Sequence, residues 1–428
     1  MRDLQPKNKL DTKWNLYAFG LTSFFNDTAS EMAYWVLPAF LASLGAGPAK
    51  LGVIEGIAES VASLAKLFSG YFADRWTRRK PLVVSGYIVA NAVKPLLAVV
   101  NWWGQVLAIR FVDRFAKGAR GTARDVMVAE SVSKERMGSA YGLIQAMDSA
   151  GAIAGPLTAL WILERGQGMR AVFWMAAIPG ILCVLVALVG IRETKSASST
   201  KKSAFPAELR DEHRDLISTP QIRDGNAEPV SSARLSRTFY YLLFVVGLFS
   251  LGNSSDMFLV LRAENVGIPV SLAPLLGLVF NVTYTLAAWP AGRLSDRMSR
   301  RTVAALGYVV FAVVYASFAT GASRILIWAA MSFYGLFYAL TTPVLKALVV
   351  DTAATDVKGR ALGIYFAVTS VAALLASVIA GELWKLFGAR VPFYVSSATA
   401  LLSAVFLMVG PGSKLAGAGS DQISQSAC

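Results

Sequence analysis

A chain of 428 residues that is 55% hydrophobic and only 16% charged, with a mean hydropathy of +0.51, is too apolar for a soluble globular protein, in which about a quarter of residues carry charge. The net charge of +14 does not point to nucleic acid, because most of the 41 Lys and Arg lie in polar segments between apolar stretches rather than in one basic patch. Cys183 and Cys428 cannot build a disulfide framework, and the single histidine, His213, leaves no Cys/His metal cluster, so no metal or cofactor is expected.

In chain order the sequence holds twelve apolar stretches, at 15–44, 50–73, 81–100, 104–128, 137–163, 170–191, 238–262, 270–292, 302–321, 325–350, 360–388 and 391–411. Each is near or above the roughly 20 residues that cross hydrocarbon as a helix. The N-terminal MRDLQPKNKLDTK runs into the first stretch without the apolar core and cleavage site of a signal peptide, so that stretch is expected to be retained. Lys and Arg concentrate at the termini and in the loops after the even-numbered stretches, which puts both termini in the cytoplasm. The expected protein is an all-α, multi-pass integral membrane protein of the cytoplasmic (inner) membrane, a monomer whose solvent partner is the lipid bilayer. A polar segment at 192–237, with one short helix expected around PAELRDEHRDLI, divides a first six-helix bundle (1–191) from a second (238–411). A cytoplasmic tail follows at 412–428.

Charges inside the apolar stretches are the informative residues. An ionised carboxylate near a bilayer centre costs about 3 kcal/mol on insertion scales, yet the first stretch contains SFFNDTASEM, with Asp27 and Glu31 one helical turn apart. The second adds Glu55, Glu59 and Lys66 on one helix face, and the third adds Lys94. In the fourth, AIRFVDRFAKGARGTARD places Arg110, Arg114, Lys117, Gly121 and Arg124 on one face. Cations there need a wet cavity, carboxylate partners, or both. Asp113 and Asp125 lie off that face, which leaves Asp27, Glu59 and Asp148 as candidate partners, whereas Arg110 and Arg124 sit nearer the ends, where snorkelling accounts for them. At 1.5 Å per residue, Asp27, Lys94, Arg114, Lys117 and Asp148 fall about 14–18 Å from a span end, near the midplane. The seventh stretch keeps Asn253 and Asp256. Asp27, Glu31, Glu59, Lys94, Arg114, Lys117, Asp148 and Asp256 are therefore candidates for coupling or substrate binding rather than for structural ion pairing, which is a costly way to hold a bundle. With no histidine in a span, proton coupling falls to carboxylates.

The two halves are related. GYFADRWTRRK, with Gly70, Asp74, Arg75, Arg78 and Arg79, aligns with AGRLSDRMSRR, with Gly292, Asp296, Arg297, Arg300 and Arg301. ESVSKERMGSAYG aligns with DTAATDVKGRALG, matching Glu130 to Asp351, Gly138 to Gly359 and Gly142 to Gly363, and SEM at 30–32 aligns with SDM at 255–257. Three matches at nearly one offset indicate a duplication. The positions matching Glu59, Lys66, Arg114, Lys117 and Asp148 are Asn281, Ala288, Gly335, Tyr338 and Thr369, so the charges are concentrated in the first half.

The repeated G-x-x-x-D-R-x-x-R-R loop resembles the signature of the major facilitator superfamily, and the resemblance covers essentially the whole chain. It implies two pseudo-symmetric six-helix bundles around a midplane cavity opened alternately to each side. SFFNDTASEM and DRFAKGARGTARD together resemble a bacterial and archaeal subgroup of transporters with unassigned substrate. The loop signature's acid and arginines form a charge cluster suited to a gate latch that pairs across the halves in one conformation and releases in the other. Arg114-x-x-Lys117-Gly118 resembles the superfamily's fourth-helix R-x-x-Q-G, with Lys in place of Gln. Gly151, Gly155 and Pro156 resemble the G-x-x-x-G-P core of an antiporter motif, although its trailing glycines fall on Ala159 and Leu160.

The expectation is a secondary active transporter, proton-coupled, exporting a small anionic or zwitterionic compound or drug, with protons as coupling ion. A symporter importing an organic anion is the rival with the same fold. A membrane-embedded enzyme or receptor is the rival from another class, and the sequence offers it no Ser/His/Asp set and no phosphate-binding glycine loop.

Overall fold

The computed structural model describes residues 9–75, 78–132, 137–193, 235–352 and 358–410. Most of the expected linker, with its short helix and His213, and the tail with Cys428 lie outside the described residues. The chain is helical wherever the sequence places an apolar stretch. The first half contains α1 (Lys9–Tyr34), α2 (Leu37–Ser43), α3 (Pro48–Arg75), α4 (Lys80–Val93), α5 (Trp103–Glu130), α6 (Met137–Glu164), α7 (Met169–Met175) and α8 (Ala177–Gly190). The second contains α9 (Arg237–Gly252), α10 (Met257–Asn265), α11 (Ala273–Arg297), α12 (Arg300–Thr320), α13 (Arg324–Asp351), α14 (Lys358–Phe387) and α15 (Val391–Val409).

Breaks within spans have local causes. Proline has no N–H and is tolerated in a helix's first turn. Pro38 in the first turn of α2 accompanies the break after Tyr34, and Pro95 accompanies the switch of α4 into a 3₁₀ turn at Lys94–Val99. The seventh span breaks between Gly252 and Met257, which leaves Asn253, Ser254 and Ser255 non-helical with Asp256 at the start of α10.

The duplication is visible in the packing. In the first half α1 packs on α6 and α8, α3 on α5, and α4 on α8; in the second α9 packs on α14 and α15, α11 on α13, and α12 on α15. The halves meet through a swapped pair of contacts, α3 against α14 and α11 against α6. Nine helical segments among the described residues are long and apolar enough to cross a membrane. The first, second and fourth stretches are not among them, and they carry Asp27, Glu31, Glu55, Glu59, Lys66 and the cation row of α5. These stretches fall short because the charged residues within them lower their hydropathy. Lipid-facing side chains such as Ile181, Leu185 and Val189 of α8 are exposed and apolar, as a hydrocarbon solvent requires.

Glycines set where the halves touch. A Cβ on Gly56 would lie 2.9 Å from the carbonyl oxygen of Leu374, and one on Gly381 would lie 2.7 Å from that of Pro48, so α3 and α14 are in backbone contact at this end. At the other end, a Cβ on Gly142 or on its repeat partner Gly363 would meet nothing within 4 Å. The halves touch backbone to backbone at the first end, and open space surrounds these two glycines near the second.

Gly155 faces α1, where a Cβ would stand 2.7 Å from the Thr28 carbonyl oxygen and 2.8 Å from the Glu31 Cβ. Gly155→Leu is expected to cost about 1–3 kcal/mol through overpacking and to lower the thermal midpoint of the purified protein, read by tryptophan fluorescence. Gly142→Leu should leave it within a degree or so, the size of a change that meets no neighbour. Equal midpoints for the two variants would contradict this packing.

Candidate functional site

The cation row of α5 faces α3 across a close contact made possible by Gly118, whose Cβ would press on Ala62 and stand 2.7 Å from the Ala65 Cβ. That approach sets two ion pairs one helical turn apart. Arg110 Nη2 donates to Glu55 Oε1 at 2.7 Å and Oε2 at 2.8 Å, and its Nε donates to Oε1 at 2.9 Å. Arg114 Nη2 stands 3.1 Å from Glu59 Oε1. The Tyr34 ring lies beside both guanidiniums, 5.7 Å from Arg110 Cζ and 6.0 Å from Arg114 Cζ. Snorkelling therefore does not describe Arg110: it is buried, and its partner Glu55 has no exposed surface. The sequence reading went wrong by judging depth from helix ends alone, when a bidentate carboxylate had already removed the need to reach water.

The remaining first-half charges surround this ladder. Asp113, set aside as lying off the cationic face, stands 3.5 Å from the buried Lys94. Lys94 Nζ donates to Asn91 Oδ1 at 3.1 Å, Asn91 Nδ2 to Asn26 Oδ1 at 3.4 Å, and Asn26 Nδ2 to Asp27 Oδ1 at 3.0 Å. This polar chain joins Lys94 to Asp27; Asn26 stands out in SFFNDTASEM as a polar residue in an apolar stretch, whereas Asn91 left no signal in the sequence. Arg124 pairs with Asp125 at 3.1 Å and reaches Ser23 at 3.3 Å. Trp35 Nε1 donates to Glu31 Oε2 at 2.7 Å. In this conformation the carboxylate facing Arg114 belongs to Glu59 rather than to Asp27 or Glu31.

A cavity of about 310 Å³ opens between these side chains, with Asp27, Glu59, Lys66, Arg114, Lys117 and Asp148 in its wall. A smaller one of about 70 Å³ adjoins it and shares Asp27, Arg114 and Lys117, with Glu31 and Lys94 beyond. Lys117 is exposed to this space. Seven of the eight candidate coupling residues, all but Asp256, thus line one connected region. Gly151 and Gly155 bring α6 against α1 beside Asp27 and Glu31: a Cβ on Gly151 would stand 3.1 Å from Asp27 Cβ. Pro156 follows inside α6.

Asp256 lines a third cavity, of about 340 Å³, whose wall includes Asn253, Ser255, Tyr338 and Thr369 and which shares Glu59 and Ser63 with the first and Tyr34 with the second. The Tyr334 hydroxyl donates to Asp256 Oδ1 at 2.6 Å, and Tyr338 lies 3.3 Å from each oxygen. Tyr338 occupies the repeat position of Lys117, so the duplication had flagged it, whereas Tyr334 left no signal.

Among the described residues, each loop cluster makes an ion pair within its own half. Arg79 Nη1 stands 2.6 Å from Glu130 Oε1, and Arg300 pairs with Asp351, the repeat partner of Glu130. The backbone N–H groups of Arg79 and Lys80 donate to Glu193 at 2.8 and 3.1 Å, and Arg301 Nη1 donates to the Gly410 carbonyl at 3.4 Å. Arg78 and Arg297 are exposed; the side chains of Gly70, Asp74, Arg75 and Asp296 lie outside the described residues.

Removing one member of a buried ion pair costs about 3–5 kcal/mol, whereas replacing both by apolar residues is often near neutral. Arg110→Met is expected to lower thermal stability by that amount and Glu55→Leu/Arg110→Met to recover most of it, measured by thermal unfolding of purified protein. A single variant as stable as the parent would show the ladder to be structurally idle.

The family model described as Major Facilitator Superfamily matches residues 19–261 and 242–422. An uncharacterized MFS-type transporter of Methanocaldococcus jannaschii is 30% identical over 418 residues, covering 95% of this chain and 98% of that one. The multi-drug resistance efflux pump PmrA of Streptococcus pneumoniae is 22% identical over 421 residues, covering 96% of this chain and 97% of the relative. Among solved structures, a variant of the nucleoside transporter NupG superimposes with a TM-score of 0.73 at 13% identity, covering 92% of this chain and 98% of that one.

Proposed function

The chain belongs to the major facilitator superfamily of multi-pass membrane transporters, and from that premise we propose that it is a proton-coupled exporter of a small anionic or zwitterionic molecule. The observation that carries this reading is the connected first-half region in which Arg114 and Lys117 face the same space as Asp27, Glu31 and Asp148. An anionic group entering that space competes with carboxylates for the two cations. A carboxylate beside a movable cation releases its proton when the cation is near and takes one up when the cation is drawn away. Substrate binding and protonation at Asp27, Glu31, Glu59 and Asp148 are thereby linked. Lys94 acts through the asparagine chain that reaches Asp27, and Asp256 answers from the second half.

Alternating access supplies the movement. The backbone contact of α3 with α14 is the closed gate of the present conformation, and the repeated loop clusters, with Gly70, Asp74, Arg75, Arg78 and Arg79 in one half and Asp296, Arg297, Arg300 and Arg301 in the other, close the opposite end when the halves rock. Both termini and these loops lie on the cytoplasmic side of the inner membrane, and the protein works as a monomer. Export rather than import is favoured by the Gly151, Gly155 and Pro156 sequence and by a relative whose name describes an efflux pump.

A thermal-shift screen against organic anions and amino-acid derivatives supplies the transported compound, because a ligand of the folded state raises the midpoint. In everted vesicles with an acid interior, an exporter loads that compound and an importing symporter drains it. In reconstituted vesicles Asp27→Asn is expected to abolish proton-driven accumulation while keeping counterflow, and Arg114→Ala to lose both. Wild-type accumulation by Asp27→Asn would overturn the coupling role.

A further inference from the structure

The second-half cavity is the chemical opposite of the first. Its wall carries hydroxyls, Asn253 and the carboxylates of Glu59 and Asp256, and among the described residues it contains no lysine or arginine. Glu59 is answered by Arg114. Asp256 is held only by the phenols of Tyr334 and Tyr338, has no ion-pair partner among the described residues, and makes no capping bond to α10 although it stands at that helix's start. Asn253 and Asp256, on either side of the break in the seventh span, line one cavity wall.

Among the buried polar atoms without a partner in the described residues are two on residues that line adjoining cavities, Asn253 in this one and Arg114 in the first-half pair. Asn253 Oδ1 is an acceptor with no donor, and Arg114 Nε is a donor with no acceptor. An unmet buried polar group is costly, and these two are of opposite sense. A molecule with an oxyanion at one end and an ammonium at the other satisfies both. Two aromatic rings, those of Tyr34 and Tyr338, line the cavity and can face a cation, and Tyr338 packs edge to face at 5.3 Å on both Tyr334 and Phe280, neither of which lines it. Tyr34 spans the boundary, lining the Asp256 cavity while its ring stands 6.0 Å from Arg114 Cζ.

We propose that Asp256 and Asn253, with Tyr338 and Tyr34 in the same wall, form the ammonium subsite of a zwitterionic substrate whose oxyanion is held by Arg114 and Lys117. The proposal rests on the reading of the first-half region as anion-binding and narrows the substrate to molecules bearing both charges. Of the two carboxylates in this wall Glu59 is answered by Arg114, which leaves the single negative charge of Asp256, a match for a monovalent ammonium.

The test measures the thermal midpoint of the full-length purified protein against three matched probes: ε-aminocaproate, caproate and n-hexylammonium. The wild type is expected to respond most strongly to ε-aminocaproate. Asp256→Asn should weaken that response about ten- to a hundredfold, the loss of a charged hydrogen bond, while leaving the caproate response unchanged; Tyr338→Phe, which keeps the ring, should weaken it less. Arg114→Gln should remove the caproate response and leave that of n-hexylammonium. A wild type blind to caproate but responsive to n-hexylammonium through Asp256 would sink the anion reading and keep this subsite. Equal loss of the ε-aminocaproate and caproate responses in Asp256→Asn, no response to either ammonium probe, or stabilisation by sodium over choline that depends on Asp256 would overturn the proposal.

Discussion

A charge inside a bilayer must be paired or wet, and the ladder of Glu55 with Arg110 and Glu59 with Arg114 meets that requirement in two ways at adjacent helical turns. The Glu55 rung is sealed and bidentate, the chemistry of a fixed clamp between α3 and α5. The Glu59 rung opens on water-sized space and is single. One turn of helix separates a structural pair from an adaptable one. The rest of the first-half site is arranged around that difference, with Gly118 setting the approach of α3 and α5 and Gly151 and Gly155 pressing α6 against the helix that carries Asp27 and Glu31.

Duplication supplied the scaffold, and divergence supplied the chemistry. The same pattern of neighbours recurs in both halves, yet the second half holds Asn281, Gly335, Tyr338 and Thr369 where the first holds Glu59, Arg114, Lys117 and Asp148. The cations are gathered on one side of the central space and an unpaired acid on the other. A cavity polarised in this way is suited to orienting a molecule that carries both charges, and on the proposed reading rocking of the halves changes which side of the membrane it meets.

Much of this was legible in the sequence. The twelve stretches follow from hydropathy, and the duplication follows from the loop signatures, because both depend on residue type at long, regular spacing. The convergence of Asp27, Glu31, Glu59, Lys94, Arg114, Lys117 and Asp148 on one region followed from helix periodicity and depth. Partner choice was not legible, because it depends on which helices touch. Spacing on α5 could not reveal that Glu55 holds Arg110, that Asp113 turns back to Lys94, or that Glu59 rather than Asp27 meets Arg114. Tyr334 escaped notice for the same reason, since an aromatic in an apolar helix looks like core until a carboxylate on another helix is found against its hydroxyl.

Alternating access requires the space between the halves to be reached from one side of the membrane at a time. Ser63 lies on the wall common to the first-half and second-half cavities and so reports on it directly. With Cys183 and Cys428 replaced by serine, Ser63→Cys is labelled by a membrane-impermeant thiol reagent added to one face of oriented vesicles or to the other. Labelling from either face, with the preferred face reversing when the pH gradient is inverted, is the result this account predicts; labelling from one face only under both gradients, or from neither, would contradict it.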